Sequence, residues 1–340
     1  MPGERPVTPM LKYAAAFLLS FGFALWWTPM MRTAALQLGI LDAPDNKLKT
    51  HETAVPYLGG LAVYVAFLLT VGVFTDFGAE TLGLLLAGSI AVVVGLIDDF
   101  GVLTPPQKLL GQALAALVLI RSGTYIKLTF LPLWIAIPLT VLWILTIVNA
   151  LNIIDIMDGL ASGVAAIAAM AIAIANFMAG REAVALLCVI LCGAMLGFLR
   201  HNFCPAKIYL GDTGSLFVGV MLASLSMNAG YTRTNELAAI SPVLILGIPL
   251  FDLAFVMLIR WRKGIPVMKG SPDHFALRLR RAGLSVRETA ILTYIASVLL
   301  SGVALLMSQV ILEWAAALMA GTLVVAGMSA YLLAKVNMSS

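Results

Sequence analysis

The chain has 340 residues, of which 61% are hydrophobic and only 11% charged, with a mean hydropathy of +1.01 and a net charge of +4. Soluble domains carry about 25% charged residues, so a water-soluble globular protein is excluded. Apolar runs long enough to cross ~30 Å of hydrocarbon recur from end to end, without the ~10-residue alternation of a transmembrane barrel.

The first apolar run follows a polar start, MPGERPVTPMLK, and shows no A-x-A cleavage site, so it reads as a retained span. Eleven spans are expected in a single all-α membrane domain covering residues 1–340. They fall near 11–31, 57–75, 82–97, 107–121, 131–149, 159–178, 183–199, 213–229, 238–259, 288–308 and 311–334. An odd number places the termini on opposite sides. Fifteen of the 21 Lys and Arg residues lie after odd-numbered spans or in the C-terminal tail, which makes that side cytoplasmic and the N-terminus external. Asp98, Asp99, Asp155, Asp158, Asp212 and Asp273 fall on the same side. A surface that only met anionic lipid would need the basic residues alone. The three cysteines form no zinc pattern; Cys188 and Cys192, four residues apart in an apolar run, read as core filler.

Five polar clusters follow in chain order. Residues 42–60, DAPDNKLKTHETAVPYLGG, bring Lys47, Lys49 and His51 up to a Gly-Gly pair, cations beside closely approachable backbone that suit a phosphate. In GLIDDFGVLTPPQKLLGQ, 95–112, Asp98 and Asp99 close a helix whose dipole opposes them, so a cation is expected there. Lys108 follows just past Pro105-Pro106. In NALNIIDIMDGLASG, 149–163, Asn149, Asn152 and Asp155 are spaced to share one helical face, with Asp158 continuing the series. Ionisable groups at a membrane edge are functional candidates. FCPAKIYLGDTGSLFVG, 203–219, sets Asp212 among glycines at the start of a span, offering a carboxylate and free N–H groups. The fifth, 260–285, surrounds Asp273 and His274 with basic residues. Asp252 lies inside the ninth span and is expected to face the interior beside a polar partner.

Hard oxygen ligands without a Cys/His set favour Mg²⁺, with Mn²⁺ as a substitute. Basic residues favour phosphates, and no G-x-x-x-x-G-K-[ST] loop is present. Together these fit phosphoryl transfer between a soluble nucleotide donor and a lipid acceptor. A transporter would carry acids near mid-membrane and inverted repeats; here the clustered acids sit at span ends on one face.

LIDDF (96–100), NALNIIDIMDGLASG, PAKIYLGDTGSLFVG (205–219) and PDHFALRL (272–279) resemble, in order, the motifs of the polyprenyl-phosphate N-acetylhexosamine-1-phosphate transferases. The resemblance covers roughly residues 40–285. It implies transfer of a sugar 1-phosphate from a UDP-sugar to polyprenyl phosphate in the cytoplasmic membrane. UMP would be released and a lipid-linked glycan for a cell-envelope polymer begun. It implies Mg²⁺ held by Asp212 with Asn152 or Asp155, and catalytic roles for Asp98, Asp99 and Asp155. Substrate contacts are implied for Lys47, Lys49, His51, Lys108, Asn149, Asp158 (uridine side), His274 and Arg278 (donor phosphate and sugar). Membrane lipid is a partner, a homodimer stays open, and no nucleic acid is expected. Two departures stand out: Ala276 and Leu277 occupy positions where many relatives carry histidines, and Ile156 follows Asp155 where relatives often have glycine. The form AVPYLGG and the sparse histidine loop look more like relatives that use UDP-N-acetylglucosamine or a related acetamido sugar than like those that use UDP-MurNAc-pentapeptide.

Overall fold

The structure, a computed structural model, describes residues 9–42, 55–227, 230–266 and 272–338. Lys47, Lys49 and His51 lie outside the described residues. The chain is all-α apart from one small hairpin. Helix α1, Pro9–Leu38, leads into the two-residue strands Leu41–Asp42 and Val55–Pro56, paired antiparallel with Leu41 opposite Pro56. There follow α2 (Gly59–Phe74), α3 (Ala79–Asp99), α4 (Pro105–Arg121), α5 (Leu133–Ile154), α6 (Leu160–Met178), α7 (Glu182–Asn202) and α8 (Gly211–Ser226). Short 3-10 turns then precede α9 (Ser241–Ile245) and α10 (Gly247–Arg262); α11 (Phe275–Arg281), α12 (Val286–Met307) and α13 (Leu312–Ala334) complete the chain.

Every expected span coincides with a helix, with three corrections. Among the described residues eight helices are long and apolar enough to cross a membrane, or nine when a bent pair counts as one. The apolar α2 is shorter, and α4 carries Gln107, Lys108 and Gln112. The expected ninth span is that bent pair: Glu236–Ile245 and Gly247–Arg262 meet at 77°. Finally, the polar series from Asn149 does not continue along one helix. α5 ends at Ile154, Asp155 leaves helical geometry at ψ 52°, and Gly159 turns the chain at φ +73° into α6. Asn149 and Asn152 therefore ride on α5, while Asp155 and Asp158 sit in the turn.

Helix α8 is the axis of the bundle, and between Gly211 and Ser226 only Asp212 escapes full burial. Helices α2, α3, α5, α6 and α7 pack around it. The outer helices α12 and α13 expose Ile295, Leu299, Leu323, Val325 and Leu332, side chains that need lipid rather than water. The chain is a multi-pass membrane protein.

Glycine brings the helices together at the polar end. A methyl on Gly60 would lie 2.1 Å from the Gly214 nitrogen, and one on Gly95 2.4 Å from the Asp212 carbonyl oxygen. Lipid supplies no hydrophobic drive for helix association, so such small-residue contacts carry the packing. Gly95→Ala is expected to cost roughly 1–3 kcal/mol by overpacking. It should also lower transfer activity, because the atoms it strikes are the backbone of Asp212; thermal unfolding in detergent beside initial rates checks both.

Candidate active site

Four helix ends meet at one polar patch. Lys108, in the first turn of α4, is placed by Pro105-Pro106 and by a capping box between Thr104 and Gln107. Its ammonium pairs with Asp98 Oδ2 at 2.6 Å and donates to Asn152 Oδ1 at 2.9 Å and Asp212 Oδ2 at 3.0 Å. Three oxygens from α3, α5 and α8 thus converge on one positive charge. Asn152 in turn donates from Nδ2 to Asp212 Oδ1 and to Ser215 Oγ, which keeps its carbonyl oxygen aimed at the cation point.

Asp99, the neighbour of Asp98, does something different. Its Oδ1 accepts from the Asp212 N–H at 2.7 Å, and its Oδ2 accepts from the Thr213 N–H at 3.0 Å and the Thr213 hydroxyl at 2.6 Å. One helix therefore caps the N-terminus of another, giving a carboxylate to the positive end of the α8 dipole. Gly211, at φ +72°, leaves room for it: a methyl there would stand 3.0 Å from both Asp99 oxygens.

Asp155 stands to one side, close to Asp212 and Asp99. Burial pushes its carboxyl up to about 8, and the Asp212 and Asp99 charges add to the rise. Among the described residues the patch holds four carboxyls against the Lys108 ammonium, an imbalance that invites another cation. Among the described residues no three His, Cys, Asp or Glu side chains form a ready metal cage. The mixed set of Asp98, Asn152 and Asp212 oxygens does hold a cation, the lysine's own. Hard oxygens on one or two carboxylates are the donor type that suits Mg²⁺.

The segments flanking the patch are tied to it. The N–H groups of Gly59 and Gly60 donate to the carbonyls of Tyr209 and Leu210, and the Tyr209 N–H donates to Pro56. Both ends of the first loop, residues 42 and 55, are thereby fixed beside the start of α8. Asp158 accepts from the Ala206 N–H at 2.9 Å and holds the loop before α8.

The 272–281 segment is fastened separately. Asp273 Oδ1 takes Lys263 Nζ at 2.7 Å and Arg278 Nη2 at 2.8 Å. Burial would raise the Asp273 carboxyl, but these two cations hold it below the usual carboxylate range. His274 Nδ1 lies 2.7 Å from Asp252 Oδ2.

The profile of glycosyl transferase family 4 matches residues 81–230, which span α3 to α8. The probable undecaprenyl-phosphate N-acetylglucosaminyl 1-phosphate transferase of Bacillus subtilis (strain 168) is 32% identical over 84% of this chain and 82% of its own length. The chain belongs to glycosyl transferase family 4. A decaprenyl-phosphate N-acetylglucosaminephosphotransferase of Mycobacterium leprae (strain TN) is 33% identical over 84% of this chain and 81% of its own length. The undecaprenyl-phosphate alpha-N-acetylglucosaminyl 1-phosphate transferase of Escherichia coli (strain K12) is 23% identical over 90% and 87%.

In this family 4 chain the residues singled out from sequence divide into groups. Asp98, Lys108, Asn152 and Asp212 meet directly, with Asp99 bound to the backbone of Asp212 and Asp155 adjacent. Asn149 lies one turn deeper, where its Nδ2 donates to Gln112 Oε1 at 2.8 Å. Arg278 is spent on the chain itself. It is 3% exposed, its Nε and Nη2 donate to Asp273, and its Nη1 donates at 3.0 Å to the carbonyls of Leu333 and Val336. That clamps the end of α13 and, among the described residues, leaves one of its five N–H groups for a donor phosphate. Sequence reasoning missed Gln112. The available signal was its spacing: Lys108 and Gln112 are four apart on α4, matching Asn152 and Asn149 three apart on α5.

Proposed function

We propose that this chain transfers N-acetylglucosamine 1-phosphate from UDP-N-acetylglucosamine to a polyprenyl phosphate, with Mg²⁺ bound at the polar patch and that patch facing the cytoplasm. The observation that carries the reading is the convergence of Asp98, Asn152 and Asp212 oxygens on one cation at the end of a buried axial helix. The activities of the relatives supply the sugar and the lipid.

The acceptor phosphate oxygen attacks the sugar-bearing phosphorus of the donor. The new P–O bond makes a lipid-linked pyrophosphoryl sugar, and the broken P–O bond leaves its electron pair on UMP. Asp212 with Asn152 and either Asp98 or Asp155 would hold Mg²⁺, which neutralises phosphate charge when bound. Lys108 adds a fixed positive charge at the same point. The main task is to seat two anions together and to screen their repulsion.

No general base is required. A phosphate monoester has a second pKa near ~6 and is mostly dianionic at neutral pH. Asp98 therefore serves as the counter-charge that steers Lys108. Asp98→Asn is expected to lose activity on the order of tenfold at pH 8, the value of one charge-assisted contact. A loss confined to pH 5.5, with near-normal rates at pH 8, would instead make Asp98 the base.

Mass spectrometry of a reaction with purified protein, undecaprenyl phosphate and UDP-N-acetylglucosamine tests the function. The reading requires polyprenyl pyrophosphoryl N-acetylglucosamine and UMP in equal amounts. Product only with UDP-MurNAc-pentapeptide would reassign the donor.

A further inference from the structure

Asp252 is fully buried in α10, past the 77° bend, and takes no part in the cluster around Lys108. A carboxylate inside a membrane segment costs about 2.5–3.5 kcal/mol on insertion scales, so its retention calls for a task that an apolar side chain cannot perform. Both of its oxygens are committed to adjacent residues at the start of α11, His274 and Phe275. Oδ1 accepts from the Phe275 N–H at 2.9 Å, and Oδ2 faces His274 Nδ1 at 2.7 Å.

The Phe275 contact does not require the charge. The Phe275 ring already packs edge-on against Phe251 of α10, with centroids 6.3 Å apart, and an amide oxygen would accept the same N–H. What only a carboxylate provides is a second acceptor oxygen with no proton to give. Facing it, Nδ1 of His274 has to carry the hydrogen. Nε2 is then the free nitrogen in a fixed orientation, on a side chain that remains 10% exposed. The neighbouring acid, Asp273, is taken up by Lys263 and Arg278 and leaves the imidazole to Asp252.

We infer that Asp252 is a positioning residue: through Nδ1 of His274 it sets the tautomer and direction in which Nε2 meets the donor. This rests on the proposed function and on the donor contact that the family resemblance implies for His274. Helix α10 packs against α5, the helix that carries Asn149 and Asn152, so the pair is mounted on a neighbour of the reaction site.

The test is a double-mutant cycle with the full chain in detergent, using Asp252→Asn, His274→Ala and the pair. Asparagine keeps an acceptor for Phe275 but turns an NH₂ toward Nδ1, which forces the hydrogen onto Nε2. Supporting groups behind a functional histidine are worth about 10–100-fold, as is expected here in kcat/KM for UDP-N-acetylglucosamine. The KM for undecaprenyl phosphate and the unfolding temperature should stay at wild-type values. In the His274→Ala background, Asp252→Asn should cost nothing more. Wild-type kinetics in Asp252→Asn, or losses that multiply in the double variant, would overturn the inference while leaving the transferase reading intact. A wild-type protein neither active with UDP-N-acetylglucosamine nor stabilised by it against heat would bring down the proposed function, and this inference with it.

Discussion

Asp212→Ala is expected to abolish transfer, by roughly 10³-fold or more, without unfolding the protein. The side chain joins three elements: its Oδ2 meets Lys108 of α4, and its Oδ1 accepts from Asn152 of α5, while its own helix is the bundle axis. Its loss removes one of three oxygens around the cation point and leaves Lys108 to Asp98 and Asn152. Metal neutralisation of developing phosphate charge is worth several kcal/mol, and each ~1.4 kcal/mol is a factor of ten in rate. Folding should survive, because the α8 backbone is fixed by Asp99 and by the glycine contacts with Gly60 and Gly95. Rates measured beside thermal unfolding check the split. Transfer within tenfold of wild type would remove Asp212 from the metal site.

Asp99→Ala should show the opposite balance, with stability falling first. Its three accepted hydrogen bonds all come from Asp212 and Thr213 at the start of α8. Hydrogen bonds to a charged group contribute about 1.5–3 kcal/mol each, and loss of a helix cap costs about 0.5–2 kcal/mol. A lowered unfolding temperature is expected, with activity down roughly 10²-fold because Asp212 loses its anchor. Asp99→Asn keeps one acceptor oxygen and should fall between the alanine variant and wild type. An Asp99→Ala protein that melted like wild type yet had no activity would make Asp99 a participant in the chemistry. Two adjacent aspartates thus carry different work, and calorimetry beside initial rates separates them.

That difference was not legible in the sequence. LIDDF marks both residues, but which of the two faces Lys108 depends on the rotation of α3 against α4 and α8, a tertiary fact. What the sequence did carry was strong local chemistry. Apolar runs located every helix except the short, basic α11, Pro105-Pro106 marked the start of α4, and the glycines around Asp212 marked the start of α8. The 77° break after Ile245 was missed because its surroundings, AISPVLILGIPLF, stay apolar throughout, and the proline-glycine punctuation reads equally well as a tolerated kink. The turn after Ile154 was missed because Asn149, Asn152, Asp155 and Asp158 keep a helical spacing right through it, although only the first two are helical. The family resemblance implied a donor contact for Arg278; its partners at Leu333 and Val336 are 55 and 58 residues away and leave no trace in spacing.

The central claim is metal-dependent transfer of a sugar phosphate to a lipid. The most direct measurement incubates the purified chain with undecaprenyl phosphate and radiolabelled UDP-N-acetylglucosamine, with Mg²⁺ or with EDTA, and counts label extracted into organic solvent. The account predicts label in the lipid phase with Mg²⁺, none with EDTA, and restoration when Mg²⁺ is returned in excess. Folded protein that leaves all label in the aqueous phase, with Mg²⁺ present, would contradict it.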